Sequence, residues 1–388
     1  MRDRVHVPAR TRVVPEDLER RERAPGDRQR PSRDSCSYNR YAHRLGVELK
    51  FRRTVNSGWP RVVRKTQMDE ALNPTPVATV RGRTSFASQV VTVIAVAVPP
   101  LGLFAAMGLL WDVAFHWYDL VLLAGFYVVC AFGTTIGFHR YFTHKGFEAR
   151  TPVKASLAIL GCLTMQGPLT QWVTDHRKHH ALSDKDGDPH SPHVGHGDGV
   201  MGAIKGFIHA HVGWLFTLKG MERGREYGKD LYEDRLVRTI DRMYMVWVLV
   251  TFGVPFAIGY AIGGTWQAGL EGLVWGGLLR VFLYQHATFS VNSICHMFGR
   301  KDYPSRDESR NNWLVAALVF GEGWHNNHHA FPSSARHGLH RFQIDISWWV
   351  IRGMEKLRLV YNVKVPSAQQ LERKKLQPAA QVSTADAT

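Results

Sequence analysis

Imidazole binds a metal near neutral pH without first losing a proton, which makes histidine the commonest metal ligand there. Three runs of this chain carry it at close spacing: His139-Arg-Tyr-Phe-Thr-His144, His176-Arg-Lys-His179-His180 and His325-Asn-Asn-His328-His329. Positions i, i+3 and i+4 share one face of an α-helix. The second and third runs are therefore expected each to aim three imidazoles at one point. The i, i+5 spacing of the first run sets its two rings about 140° apart on an ideal helix, so it needs a helix end or a kink. Eight imidazoles exceed the four ligands of a tetrahedral zinc site and suit two ions. An all-nitrogen set is compatible with iron, copper, nickel or zinc. A lone histidine pair at such spacing is ordinarily a core or surface feature; three runs, each beside an apolar stretch, set that reading aside.

These runs need a scaffold to bring them together, and the composition says of what kind. Of 388 residues 45% are hydrophobic and 21% charged, and mean hydropathy is −0.21. That average hides segregation: stretches at about residues 88–110, 120–138, 243–263 and 272–295 are nearly free of charge. Soluble helices of such length keep a charged face, and about 20 apolar residues cross a bilayer. The pattern predicts an all-α integral membrane protein, with four transmembrane helices in two hairpins and a helical cytoplasmic domain carrying the histidine runs. Pro99 and Pro100 are expected to kink the first span, and Arg280 interrupts the fourth. The short connections, 112–119 and 264–271, hold acidic residues and no Lys or Arg, so the positive-inside rule places both termini and the central segment in the cytoplasm. Val153–Val173 is apolar too, but a crossing there would part the first histidine run from the second. It is expected to be a buried or half-inserted helix.

The ends differ from the middle. The first 83 residues carry 20 Lys/Arg against 10 Asp/Glu, most of the chain's net +16, and predict a disordered basic tail. Its scattered charges and few aromatics favour anionic lipid over nucleic acid. Met68 is an alternative start, and no cleavable signal peptide is expected. Residues 367–388 are expected to be disordered. Four cysteines exclude a secreted domain stapled by disulfides.

With the hairpin pattern between them, the three runs resemble the histidine boxes of the membrane fatty-acyl desaturases, most nearly the Δ9 (stearoyl-CoA type) acyl-CoA group of bacteria. The resemblance covers about residues 84–366 and includes Asp186-Gly-Asp-Pro-His190, His211-Val-Gly-Trp214, Asn292-Ser-Ile-Cys-His296 and Phe331-Pro-Ser-Ser-Ala-Arg-His337. It implies nine histidine ligands for two irons: His139, His144, His176, His179, His180, His296, His325, His328 and His329. Asn292 then reaches one iron through water. Gln166, Trp172, Thr288 and Phe289 match the bend of an apolar substrate tunnel. His190, His193, His196, His209, His211, His286, His337 and His340 match no ligand position and are either donors that orient ligands or ordinary loop residues.

An unactivated methylene offers no acidity or polarity for a side chain to exploit, so removing its hydrogen takes cofactor chemistry that the protein positions and shields. The resemblance implies iron, O2 and two external electrons, giving a cis double bond and water, at the cytoplasmic face of a bacterial inner membrane. The substrate is a fatty acyl-CoA or acyl-lipid, or a carrier-protein-bound chain. Thr174 stands where animal acyl-CoA enzymes have Arg, which leaves the carrier open, although Arg177, Lys178, Lys185 and Lys205 can attract phosphates. No haem-binding His-Pro-Gly-Gly element is present. Electrons are expected from a separate NAD(P)H-linked partner of ferredoxin, flavin reductase or cytochrome b5-like type. A hydroxylase or alkane monooxygenase would use the same ligands. A transporter would place its histidines within the spans rather than at their ends.

Overall fold

The computed structural model describes residues 93, 96–106, 108, 116–217 and 224–375. The basic N-terminal segment, Met68 and the ends of the first expected span lie outside the described residues. The described chain is mostly helical. Helix α1 (Val96–Ala106) is the described part of that span. Helix α2 (Trp117–Thr143) is 27 residues long and contains the second expected span, 120–138. It begins as an α-helix, closed at its start by a reciprocal His116/Asp119 cap, and winds as a π-helix over Gly133–Thr143.

Val153–Val173 is not one helix. Helix α3 (Thr151–Cys162) ends at Leu163, and α4 (Leu169–Leu182) starts after a turn in which Met165 and Gly167 take positive φ. Pro168 has no N–H to continue a helix and serves as the cap of α4. The stretch is thus broken rather than continuous, and the histidines before and after it meet. Helix α5 (Gly199–His211), α6 (Gly224–Glu233) and α7 (Arg235–Arg242) follow.

Helix α8 (Tyr244–Gly263) is the second helix long and apolar enough to cross a bilayer. Gly264 ends it in the left-handed region, and Thr265 caps the next helix. The return limb is continuous: α9 (Trp266–Gly272), a π-helical stretch Leu273–Leu279, and α10 (Arg280–Met297). A Cβ on Gly272 would lie 2.3 Å from the Pro255 carbonyl oxygen, so only glycine lets these limbs approach. Two candidate membrane-spanning helices thus stand among the described residues, and the stretch expected as a fourth span, 272–295, runs through this longer limb with Glu271 and Arg280 buried in it.

The chain then forms α11 (Trp313–Leu318), α12 (His325–Ala330) and α13 (Ile346–Lys356). A two-residue antiparallel ribbon, β1 (Glu148–Ala149) with β2 (Val360–Tyr361), ties the end of the chain to the segment after α2. A final helix, α14 (Ala368–Lys375), lies in the segment expected to be disordered. Ser367 and Gln370 bond each other's backbone N–H, a reciprocal cap that starts a helix in an otherwise polar stretch. The core nearest the histidines joins Phe138 and Phe142 of α2 to Cys162, Leu169, Val173, Leu231, Val237 and Ile240.

Candidate dimetal centre

All nine expected ligands come together, in two groups. His139, His144, His176, His180 and His328 form one; His179, His296, His325 and His329 form the other. Within each group the ligand nitrogens lie within 4.8 Å of one another. The helical runs therefore do not each aim at one point. The i, i+4 pairs stay together (His176 with His180, His325 with His329), while the i+3 member turns to the other group. That step rotates about 300° rather than 400°, so His179 and His328 look to opposite sides of their helices' shared face. The first run does meet the helix end that its spacing requires. His144 caps α2, and its N–H donates to the His139 carbonyl at 3.1 Å, an i+5 bond that defines π winding and leaves the two rings edge to face with centroids 4.9 Å apart.

Carboxylates fix the rings. Nδ1 of His179 faces Asp188 (3.0 Å), Nδ1 of His296 faces Asp184 (2.9 Å) and Nδ1 of His329 faces Asp307 (2.6 Å). His139 Nδ1 is paired with Glu322. Burial works to raise the pKa of all four acids, but the histidine beside each, with Arg140 at Glu322, outweighs it and holds them below the ordinary carboxylate range. An ionised carboxylate only accepts, so the ring hydrogen sits on Nδ1 and a neutral ring keeps Nε2 bare. Burial first, and neighbouring histidines second, hold His176, His180, His325 and His328 well below 6.5, in the neutral form that ligates.

The donor set fits metal ions. His139 and His328 approach Nε2 to Nε2 at 3.0 Å, His180 and His328 at 2.9 Å, and His296 and His325 at 3.0 Å. Of these five rings, carboxylates keep Nε2 bare on His139 and His296; where the facing ring is bare too, the two nitrogens repel unless a cation lies between them. Adjacent ligands on one ion stand about 3 Å apart when each metal–nitrogen bond is about 2.1 Å. His144, His179 and His329 each also hold a buried Nε2 without a hydrogen-bond partner.

A cavity opens beside both groups, with His139, His176 and His325 in its wall. Trp172, Thr288 and Asn292 line it too. Gln166 ties two of them together: its amide NH2 donates to Thr288 Oγ1 (2.9 Å), and its oxygen accepts from Trp172 Nε1 (3.0 Å). Phe289 is not in this wall; it is buried against His211 and His286. Of the remaining histidines, His190 stacks near His179, His193 Nε2 donates to the His296 carbonyl (2.8 Å), and His337 faces Glu322 (3.3 Å). Arg177, expected to be available to phosphates, is engaged instead with Asp230 and the Phe142, Thr143 and Tyr227 carbonyls. Glu322, Asp184 and Asp307 were not legible as functional. The usable signal is general: a ligating histidine needs an acceptor on its second nitrogen, and acids near each run are the candidates.

The fold and site together define a helical protein with membrane-length helices and a paired histidine centre beside an apolar-walled cavity. The sequence pattern of the fatty acid desaturase family matches residues 115–362. The hex-5-enoyl-(acyl-carrier protein) acetylenase of Moorena producens is 42% identical over 280 residues, 72% of this chain and 87% of the relative. The acyl-CoA 5-desaturase of Anemone leveillei is 38% identical over 257 residues, 65% of this chain and 74% of the relative. The sn-1 stearoyl-lipid 9-desaturase of Anabaena variabilis is 35% identical over 258 residues, 66% and 88% of the two chains. The chain belongs to the fatty acid desaturase family.

Proposed function

We propose that this enzyme introduces a cis double bond, at Δ9, into a saturated long-chain fatty acyl group using two irons held by the nine histidines, with Asn292 beside the four-histidine group. The observation that carries it is the gathering of all nine rings into two groups beside one cavity, whose wall holds His139, His176 and His325 together with Trp172 and Thr288, the last two tied to each other by Gln166. Bound iron supplies the O2 chemistry that removes two hydrogens from adjacent methylenes, with O2 and two electrons and two protons leaving as two waters. The chain's own residues do the rest. Asp184, Asp188, Asp307 and Glu322 hold the ring hydrogens on Nδ1 and so aim Nε2 inward. An apolar wall holds the acyl chain, at about 0.8 kcal/mol for each buried CH2, and the Gln166 cluster supplies a polar stop at which it bends.

In this reading four spans cross the bilayer, the histidines face the cytoplasm, and a separate NAD(P)H-linked electron carrier docks there. The acyl carrier is CoA or a membrane lipid. A second reading has an observation behind it, since one relative is named an acetylenase of a carrier-protein-bound enoyl chain: an existing olefin as substrate and an alkyne as product. Expression in a host without endogenous desaturase, followed by gas chromatography of fatty methyl esters, separates the two. New monoenes with the bond at Δ9 support the first. Alkynes from supplied monoenes support the second, and hydroxy acids alone overturn both.

A further inference from the structure

Arg280 is fully buried on the return limb, at the first residue of α10 (Arg280–Met297), the helix that carries Thr288. A lone charge at such a depth is costly and marks function by default. It neither snorkels to water nor, among the described residues, pairs with a carboxylate. Its Nη1 donates to the Leu163 carbonyl at 2.8 Å, and its Nε to the Gly276 carbonyl at 3.2 Å. Leu163 closes α3, so the guanidinium sits at the negative end of a helix, where a cation is stabilised. Thr251 Oγ1 reaches the same carbonyl.

The next tie lies two residues on. Gln285 Nε2 donates to the Met165 carbonyl at 2.9 Å, and Met165 holds φ +62, a region that L side chains rarely adopt. Two residues further, the Gly167 N–H donates to Tyr244 Oη at 3.1 Å. The backbone of this turn is thus pinned at 163, 165 and 167. The residue between the last two pins is Gln166, which reaches Thr288 and Trp172 in the cavity wall. Arg280, Gln285 and Thr288 all lie on α10 at positions i, i+5 and i+8. One helix therefore both clamps the turn and supplies its contact in the cavity.

We infer that Arg280 and Gln285 are positioning residues for regiochemistry: they fix the height of Gln166 above the histidine groups and so select which C–C bond of the acyl chain lies beside the metals. This rests on the desaturase reading, and the two fail separately: wild-type protein that makes no monoene defeats that reading before any variant is scored. The test is Arg280→Met, which removes the donors and the charge, expressed beside wild type. Double-bond positions are read by mass spectrometry of dimethyl disulfide adducts, and iron per chain is measured on purified protein. The minor positional isomer is expected to rise at least about tenfold relative to the main one, since displacements near 1 Å alter rates by about 10²-fold, with iron content unchanged. Arg280→Lys, which keeps a cationic donor at the end of α3, is expected to restore most of the wild-type ratio. A purely structural role lowers total product and leaves the isomer ratio alone, and that result overturns the inference. Should Arg280→Met not accumulate, Gln285→Leu, which removes only the tie to Met165, carries the test on the same ratio, and an unchanged ratio overturns it.

Discussion

His179, His296 and His329 each set Nδ1 against an aspartate, whereas in the five-histidine group only His139 has such a carboxylate among the described residues. That group is instead held through the backbone that carries it. Arg140, fully buried between His139 and the end of α2, donates to Glu322 (3.1 Å) and to the Ala335 carbonyl (2.8 Å). Arg177 donates to the carbonyls of Phe142 (2.7 Å) and Thr143 (3.2 Å), the two residues before His144. The contrast is local: His139 and His144 lie at the end of α2, which Arg140 and Arg177 anchor, whereas His179 on α4, His296 on α10 and His329 on α12 are each tethered at the ring. His176, His180 and His328 share α4 and α12 with those tethered rings.

The division itself is the first thing to break. His328→Ala and His296→Ala remove one ligand from each group, and each is expected to lower product more than the roughly 10–100-fold that loss of an orienting partner costs. Elemental analysis should show each variant keeping the metal of the intact group; loss of both ions from either one defeats the assignment to two separate groups. Next in size is Glu322→Gln, which strips Arg140 of one of its two acidic partners, leaving Asp345. Breaking a buried pair costs about 3–5 kcal/mol, and the remaining aspartate puts this case at the low end. Less folded protein in the membrane and a lower melting temperature are expected; a variant that melts like wild type removes Glu322 from the clamp. Asp184→Asn, Asp188→Asn and Asp307→Asn should leave folding nearly intact and weaken metal binding about 10–100-fold, in the four-histidine group alone. Metal titration of the purified variants checks this, and equal weakening of both groups erases the contrast.

Much of this was legible in the sequence for a physical reason: eight of the nine rings fall in three runs at close spacing, while His296 stands alone and came only from the family resemblance. What the spacing could not say is which ring serves which group. That depends on the roughly 100° difference in azimuth between i+3 and i+4 and on π winding after Gly133, where a Cβ would lie 2.2 Å from the Leu160 carbonyl carbon of α3. Long apolar helices were legible for 117–143 and 244–263. The return limb was harder, because Arg280 and Glu271 are accommodated by local partners, the Leu163 carbonyl for one and His116 with Gln267 for the other. The orienting acids were hidden because a carboxylate reaches its ring through space: Asp307 is 22 residues from His329, and Asp184 is 112 from His296. Phe289 matched a tunnel position by alignment, yet it faces the far side of α10 from Thr288's cluster, as its neighbours His211 and His286 show.

The smallest effect tests whether the backbone clamp rests on its carbonyls or on its ion pair. Arg177 is also bonded to Asp230, at 2.7 Å and 3.1 Å, and Lys145 joins that carboxylate at 3.0 Å. Burial works to raise the Asp230 pKa, and the hydrogen bonds from Arg177 and Lys145 outweigh it, holding it at about 2. A depressed carboxylate stabilises the fold above the unfolded pKa of about 3.9 and loses that contribution as pH falls toward 2. The group is 39% exposed, so water screens the pair and the contribution is about 1 kcal/mol or less. Asp230→Asn should therefore lower the melting temperature at pH 7 by only about 2 °C, and the gap to wild type should narrow as pH falls from 5 to 3. Metal in the five-histidine group should stay bound, because the Phe142 and Thr143 carbonyls still hold Arg177. Loss of that metal at pH 7 would show that the carboxylate, and not the helix end, sets the clamp, and the two groups would then be oriented by acids alike.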